Sequence, residues 1–192
     1  NGRNRDLFLP FIDLIEENME VLQLEAERDY RLEHLLESEL YFTPADAAAR
    51  AEMDKLWREL TFGQACHSES LTVLGHPLEV PCASMGAARF SFAELFEKPL
   101  GAQDYLALAQ RYHTIFVDDI PILRRDQRDA ARRLITFVDT LYDHHTGLVV
   151  SAAAEPHALY QAGDGADHFE RTASRLIEMR SPAYLKRNIG KL

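Results

Sequence analysis

Hydrophobic and polar positions along the chain form patterns that predict both strands and helices. Between positions 113 and 151, an apolar run ends at Asp118-Asp119, an amphipathic segment follows, and a second apolar run closes the unit from Gly147 to Ser151. Two short apolar runs joined by a helical crossover are typical of parallel strands. The crossover, from about Gln127 to His145, has the 3.6-residue periodicity of a helix with one buried face. The residues expected on that face are Ala130, Leu134, Phe137, Val138 and Leu141.

The segments before and after this unit also have recognisable signals. Thr43-Pro44-Ala45-Asp46 is typical of a helix start, with Thr43 as the cap, and the helix is expected to reach Leu60. Gly75-His76 lies between two short apolar runs and predicts a hairpin. The other expected elements are strands at 19–24, 29–32 and 88–92, a helical turn at 93–97, and helices after Pro10, from Gly101 to Arg111 and from Phe169 to Met179.

Together these elements predict an α/β fold with a mixed sheet and flanking helices. The chain has 192 residues, of which 46% are hydrophobic and 27% charged, an ordinary balance for a globular protein. Its formal net charge of -10 disfavours nucleic acid as a partner, because binding to phosphates requires positive charge. No apolar run approaches the roughly 20 residues that a membrane-spanning helix needs.

The two cysteines, Cys66 and Cys82, show no pattern that implies a disulfide framework. This favours a reducing compartment for the protein. Together with His67 and His76 they could be considered as zinc ligands, but their spacing matches no standard structural zinc site. Neither a disulfide nor a metal site is therefore expected here.

Asp118 and Asp119 allow two interpretations. Acids at the exit of a buried strand are where nucleotide hydrolases hold Mg²⁺. A phosphate-binding loop, however, needs glycines followed by Lys and Ser or Thr, and only Gly190 among the nine glycines precedes a lysine. We therefore expect the two acids to be structural, as caps or as ion-pair partners of nearby arginines, and this chain alone to be inactive towards ATP.

Arginines occur in two groups that could bind anions. Arg125, Arg128 and Arg132 lie along one stripe of the central helix, and Arg171 and Arg175 share a face of the last helix. The planar guanidinium group is well suited to binding phosphate. The alternative for both groups is ion pairing within the protein. Within the central helix, Arg133 is expected to pair with Asp129, four residues earlier.

Several segments, taken in order, resemble the ZapE/AFG-like ATPase family, and the similarity covers nearly the whole chain. Each segment alone is a weak signal, but their order is specific. They are Phe8-Leu9-Pro10-Phe11-Ile12, Tyr41-Phe42-Thr43-Pro44, Leu78-Glu79-Val80-Pro81, Ala88-Arg89-Phe90-Ser91-Phe92, the segment from Lys98 to Leu106, and the segment from Phe169 to Leu176.

The resemblance implies an AAA+ type P-loop ATPase of which this chain is the C-terminal half. Residues 1–70 would follow the sensor 1 strand, and residues 71–192 would form the strand-helix-strand region and the terminal helix. Arg5 would be the catalytic arginine finger, and Arg171 or Arg175 would be a sensor 2 type nucleotide contact. The full-length protein would bind ATP and Mg²⁺, whereas no cofactor is expected for this chain alone. The 113–151 unit imitates the layout of Walker B, a helix and a sensor 1 strand.

The resemblance also implies a setting for the protein. The full-length protein would be a cytoplasmic homo-oligomer, peripheral to the inner membrane at the division site, with a bacterial division-ring protein as partner. Part of the family is associated instead with mitochondrial protein quality control. Two alternatives stay open: a protein-interaction module that binds no nucleotide, and a degenerate stand-alone domain.

Overall fold

The computed structural model describes residues 34–163 and 165–187. The strands and helices expected before residue 34, and Arg5 with them, lie outside this range. The strands are β1 (Tyr41–Phe42), β2 (His67–Val73), β3 (His76–Ser84), β4 (Ala87–Ser91), β5 (Thr114–Ile120) and β6 (Gly147–Ala152). The α-helices are α1 (Ala47–Leu60), α2 (Ala102–Arg111), α3 (Arg128–Asp143), α4 (Ala166–Glu178) and α5 (Pro182–Arg187). Short helical turns lie at Ala93–Glu97, Arg125–Gln127 and Pro156–Ala158.

The six strands form one mixed sheet in the order β1-β6-β5-β4-β3-β2. Strands β1, β6, β5 and β4 are parallel, whereas β3 and β2 are antiparallel to their neighbours. The predicted β-α-β unit is confirmed, since β5 and β6 are parallel neighbours joined by α3. The predicted α/β class with a mixed sheet and flanking helices is confirmed as well.

Helices cover the parallel part of the sheet on both faces. Trp57 of α1 packs edge-on against Phe116 of β5, with ring centroids 5.1 Å apart. Ile115 and Val117 alternate with Phe116 and therefore point to the opposite face, yet both are fully buried. All six residues of β6 are buried, as expected for a strand inside a parallel sheet. An aromatic cluster of Phe96, Tyr105 and Phe137 joins α2 and α3.

Helix α1 begins later than its sequence signal indicated. Thr43 was expected to be the cap, but the side chain of Asp46 accepts hydrogen bonds from the backbone N–H groups of Ala48 and Ala49, both at 2.9 Å. An aspartate is as good a cap as a threonine, and Asp46 directly precedes the first helical residue. The helix ends at Leu60 as predicted, and its expected apolar face is buried.

Two tight hairpin turns fix the register of the antiparallel strands. Val73 pairs with His76 across Leu74-Gly75, and Ser84 pairs with Ala87 across Met85-Gly86. Both residues of each turn have positive φ, between 47° and 86°. This is the type I′ geometry that matches the twist of hairpin strands and favours glycine at the second position. The hairpin was predicted, but its turn is Leu74-Gly75 rather than Gly75-His76.

The expectation that Cys66 and Cys82 form no disulfide was wrong. Cys66, just before β2, forms a disulfide with Cys82 of β3. The two residues are 16 apart in sequence, and the antiparallel pairing of β2 with β3 brings them together. No helix in the described ranges is both long and apolar enough to cross a bilayer.

Substitution of the two turn glycines is expected to destabilise the protein to different degrees. Alanine at Gly75 meets no atom within 4 Å, so only the positive φ is penalised, by about 1–2 kcal/mol. Alanine at Gly86 has the same penalty, and its Cβ would also lie 2.8 Å from the buried ring of His113. Overpacking of this kind costs roughly a further 1–3 kcal/mol.

Urea unfolding of both variants measures the difference. Gly75→Ala is the matched control for Gly86→Ala, because it has the same backbone strain without the steric contact. Equal losses of unfolding free energy in the two variants would contradict the tight packing of His113 against the second turn.

Candidate functional site: an acidic bulge and an arginine-lined cleft

The parallel strands β1, β4, β5 and β6 all end at the same side of the sheet, which we call its C-terminal end. Ligands of open α/β sheets bind outside this end, so polar residues here are the first candidates for function. Asp118 and Asp119 lie near the C-terminal end of β5, which ends at Ile120. Ser151 lies next to them in β6. The sequence-predicted acids are therefore located where a nucleotide site would be sought.

The two acids form a β-bulge. Val117 pairs with Val150 and Ile120 with Ala152, so Asp118 and Asp119 together oppose the single residue Ser151. Asp119 has a positive φ of 60°, and its backbone N–H donates a hydrogen bond of 2.9 Å to the Ser151 hydroxyl. Bulges redirect side chains at the ends of strands, often beside functional sites.

Asp118 is engaged by an arginine that the sequence analysis did not single out. Its two carboxylate oxygens accept hydrogen bonds from Nε and Nη2 of Arg89 in β4, at 2.7 and 2.9 Å. The third nitrogen, Nη1, donates to Asp54 of α1 at 2.6 Å. We call these three residues the Arg89 network. It joins β4, β5 and α1 through a single guanidinium group.

The Arg89 network lies in a partly buried setting. The side chains of Arg89 and Asp118 are only 16% and 20% exposed. Burial disfavours the charged guanidinium, but its hydrogen bonds and attraction to Asp118, and then to Asp54, outweigh that effect and raise the pKa of Arg89. The charge-assisted, bidentate geometry therefore stabilises the charged form of the Arg89 guanidinium.

Asp119 is bound more loosely. It accepts a hydrogen bond of 2.8 Å from Arg50, one turn before Asp54 on α1, and both side chains are largely exposed. The carboxylates of the bulge thus both have arginine partners from neighbouring elements. In the ranges that the structure describes, no group of three or more His, Cys, Asp or Glu residues could hold a metal ion. This geometry supports a structural role for the pair.

Arg171 and Arg175 of α4 both reach the same carboxylate on α3. Nη2 of Arg171 donates to Asp139 Oδ2 at 2.5 Å, and Nη1 of Arg175 lies 2.5 Å from Asp139 Oδ1, close enough for an ion pair. Arg175 also lies over the ring of Tyr142 at 4.6 Å and 3.5 Å from Asp143. The ion pairing that the sequence analysis left open for these two arginines is therefore made with α3.

The two arginines differ in accessibility. The side chain of Arg175 is 21% exposed, whereas that of Arg171 is 66% exposed. Arg171 lines an open cleft of about 380 Å³ between α3 and α4, with Arg132, Ile135, Gly165 and His168. Among the two sensor 2 type candidates, Arg171 is the one that a ligand in this cleft could contact.

The arginines of α3 are only partly as expected. Arg128 and Arg132 are exposed, as predicted, and so is Arg125, which lies in the helical turn before α3 rather than in the helix itself. Arg133 was expected to pair with Asp129, but its Nη1 donates to the carbonyl oxygen of Phe96 at 3.0 Å instead. The physical reason is that Arg133 points towards the turn before α2, where a backbone carbonyl needs a donor.

The sequence did not indicate the partners of the predicted acids and arginines, which are Arg50, Arg89 and Asp139. It also did not indicate Asp54, the second partner of Arg89. Arg89 alternates with apolar residues in β4, as Ser91 does, so its pattern is that of a strand with one polar face and does not indicate a partner. The identity of its partners was not readable, since Asp54 and Asp118 are 35 and 29 residues away in sequence.

Comparison with known proteins gives the family. The model of the AFG1-like ATPase family matches residues 1–188. Cell division protein ZapE of Escherichia coli is 37% identical over 187 residues, which are 97% of this chain and 50% of ZapE. Lactation elevated protein 1 homolog B of Danio rerio is 28% identical over an alignment of 219 residues, gaps included, which covers 96% of this chain and 44% of that protein.

The chain spans about half the length of the curated relatives that it matches. No solved structure matches it significantly. Because the family model covers nearly all of the sequence, the chain belongs to the AFG1-like ATPase family.

Proposed function

We propose that this chain is the C-terminal part of an ATP-hydrolysing ATPase that acts in cell division, like the relatives named ZapE. The observation that supports the proposal best is the family match over residues 1–188. In this proposal the phosphate-binding loop and the Mg²⁺ ligands belong to the full-length protein outside this chain. The protein works as a cytoplasmic homo-oligomer at the division site, with a division-ring protein as partner.

The chain's own arginines supply positive charge to the nucleotide. Arg5 acts on ATP held by a neighbouring subunit, and Arg171 contacts nucleotide phosphate from the cleft between α3 and α4. The residues of this cleft fit an anion, because Arg132, His168 and Arg171 place cationic or donor groups around it. Positioned cations stabilise the charge that develops on the transferred phosphoryl group. Arg175 orients this surface by its contacts with Asp139 and Tyr142.

The acidic bulge has a different role in this proposal. Mg²⁺ bridges phosphate oxygens and neutralises their charge in such enzymes. Asp118 does not fit as its ligand, because Arg89 engages both of its carboxylate oxygens. We assign Asp118 to holding α1 against the C-terminal end of the sheet.

A second candidate is a protein-interaction module that binds no nucleotide. It is favoured by the ion pairing of both Arg171 and Arg175 with Asp139, which gives these side chains a structural role without any ligand. Kinetics of the full-length protein separate the two candidates, as the following predictions describe.

Arg171→Ala and Arg175→Ala in the full-length protein should change different properties, the first the ATPase kinetics and the second the stability. The Arg171 side chain is 66% exposed, and Asp139 keeps its contact with Arg175 when Arg171 is removed. The loss of Arg171 should therefore cost only about 0–1 kcal/mol and leave the melting temperature almost unchanged. The Arg171→Ala variant should instead have a lower ATP turnover or a higher KM. Arg175→Ala should lower the melting temperature, because its less exposed side chain packs on Tyr142. The measurements are steady-state ATPase kinetics and thermal melting.

Arg128→Ala is the matched control, since Arg128 is an exposed arginine of α3 that does not line the cleft. Wild-type kinetics of Arg171→Ala would contradict the nucleotide contact and favour the interaction module.

Asp118→Asn should reduce stability rather than catalysis. It removes one charged partner of Arg89 in a partly buried setting, where a hydrogen bond between charged groups is worth roughly 1.5–3 kcal/mol. Asp119→Asn is the matched control and should cost less, because its pair with Arg50 is exposed. Thermal melting and ATP turnover per folded molecule test this. Lost turnover with unchanged melting would instead identify a metal ligand.

Arg5→Ala tests the arginine finger. An arginine in this role acts mainly in the transition state and contributes up to about 10³–10⁵ in rate. Turnover of the full-length protein should fall strongly while its affinity for ATP stays nearly constant. Mixing this variant with a second variant that lacks the phosphate-loop lysine should restore part of the activity, because the finger acts between subunits. Near-normal turnover of Arg5→Ala would remove Arg5 from the site.

A further inference from the structure

The fold brings together the two cysteines that the chain contains. Cys66 and Cys82 are 16 residues apart in sequence, and their Cα atoms are 5.2 Å apart, within the range that a disulfide spans. Cys66 is exposed, as are its neighbours Ala65 and His67, whereas Cys82 is half-buried in β3. A thiol reagent in solution can therefore approach the sulfur of Cys66.

The disulfide lies at the end of the β2–β3 ladder, next to the pair formed by His67 and Ala83. Cys66 ends the connection between α1 and β2, and Cys82 pairs with Arg89 of β4. The bond therefore attaches this connection to the strand beside the Arg89 network. Near Cys66 the β2–β3 ladder is irregular, with a register shift between His67 and Glu69.

The surrounding structure does not depend on this bond. The hairpin has a continuous register from Glu69–Val80 to Val73–His76, closed by its type I′ turn. The C-terminal end of α1 is capped by local hydrogen bonds. Gly63 N donates to the Arg58 carbonyl and the Thr61 hydroxyl donates to the Trp57 carbonyl, both at 2.8 Å. Segment 64–68 keeps two contacts of its own, the hydrogen bond from Gln64 N to the Thr61 carbonyl at 2.9 Å and the pair of His67 with Ala83. Opening the disulfide therefore loosens this short segment without detaching it.

We propose that Cys66 and Cys82 are a reversible redox pair that tightens and loosens segment 64–68 against β3. A thiolate of a dithiol reductant attacks the Cys66 sulfur, breaks the disulfide and expels the Cys82 thiolate, which takes up a proton. The reductant's second thiolate then attacks the sulfur of the reductant in this mixed disulfide and expels the Cys66 thiolate, which takes up a proton. The reductant leaves as a cyclic disulfide, so two electrons pass to the protein. Exchange with an oxidised disulfide reverses the reaction.

The exposure of Cys66 supports reversibility, because exposed disulfides are the labile and regulatory ones. One further argument rests on the proposed function, which places the protein in the cytoplasm. Disulfides in that compartment are mostly transient and serve catalysis or redox sensing.

The redox state of the 192-residue chain can be measured in native buffers of varied reduced and oxidised glutathione, followed by alkylation and intact mass. The expected result is one transition between a disulfide and two free thiols. A bond that stays closed in excess dithiothreitol, or thiols that never pair in oxidised glutathione, would each overturn the proposal.

Hydrogen exchange then shows what the bond holds. On reduction, protection should fall at residues 64–68 and stay unchanged in β4 and β5, while the emission of Trp57, the single tryptophan of the chain, stays that of a buried indole. The melting temperature should fall by roughly 5–10 °C, as expected for opening a loop of this length. Loss of protection throughout the sheet would show a structural disulfide and overturn the switch.

Cys66→Ser and Cys82→Ser are the control variants. Both should have the melting temperature and exchange pattern of the reduced wild-type chain. With oxidised glutathione the remaining thiol of each variant can form only a mixed disulfide, so neither variant should regain the protection of segment 64–68. Recovery of that protection in either variant would mean that the effect does not arise from this pair.

Discussion

The charge of Arg89 is the constraint on which the C-terminal end of the sheet depends. A guanidinium on a central strand, only 16% exposed, is costly unless it is paired on every side. Asp118 satisfies it from β5 and Asp54 satisfies it from α1. The three elements are therefore held in one arrangement by the same group, and Trp57 packs on Phe116 on the same face.

This constraint also decides what the acidic pair can do. A hydrophobic strand that ends in two acids is the pattern by which a nucleotide hydrolase holds Mg²⁺. In this chain the bulge at Asp118-Asp119 presents both carboxylates to arginines. The local sequence is compatible with either role, and the neighbouring strand and helix give the two carboxylates these ion-pair partners.

The shared carboxylate of Asp139 has a similar effect on the last helix. It brings Arg171 and Arg175 to the same point on α3, yet leaves one exposed beside a cleft and the other packed on an aromatic ring. Two arginines that are equivalent in the sequence thus become different in the fold. The exposed one is available for a ligand, and the packed one stabilises the surface around it.

The sequence by itself determined the features that depend on neighbouring residues. The buried faces of α1 and α3, the strands at β4, β5 and β6, and the hairpin could be predicted because periodicity and turn chemistry are local properties. The helical turn at Ala93–Glu97 was predicted as well, whereas α5 was missed because its six residues are too few for a periodic signal. The resemblance of ordered segments indicated the family, which the family match confirms.

The tertiary structure alone decided which side chains meet. Cys66 and Cys82 show no pairing pattern in sequence, and only the alignment of β2 with β3 brings them together. Arg89 meets Asp118 and Asp54 across 29 and 35 residues, and Arg171 meets Asp139 across 32. Contacts between elements depend on strand order and helix placement, and neither is encoded in the periodicity of a single segment. For the same reason the sequence could suggest ion pairs for Asp118 and Asp119 and a nucleotide contact for Arg171 or Arg175, but could not give the partners of these residues.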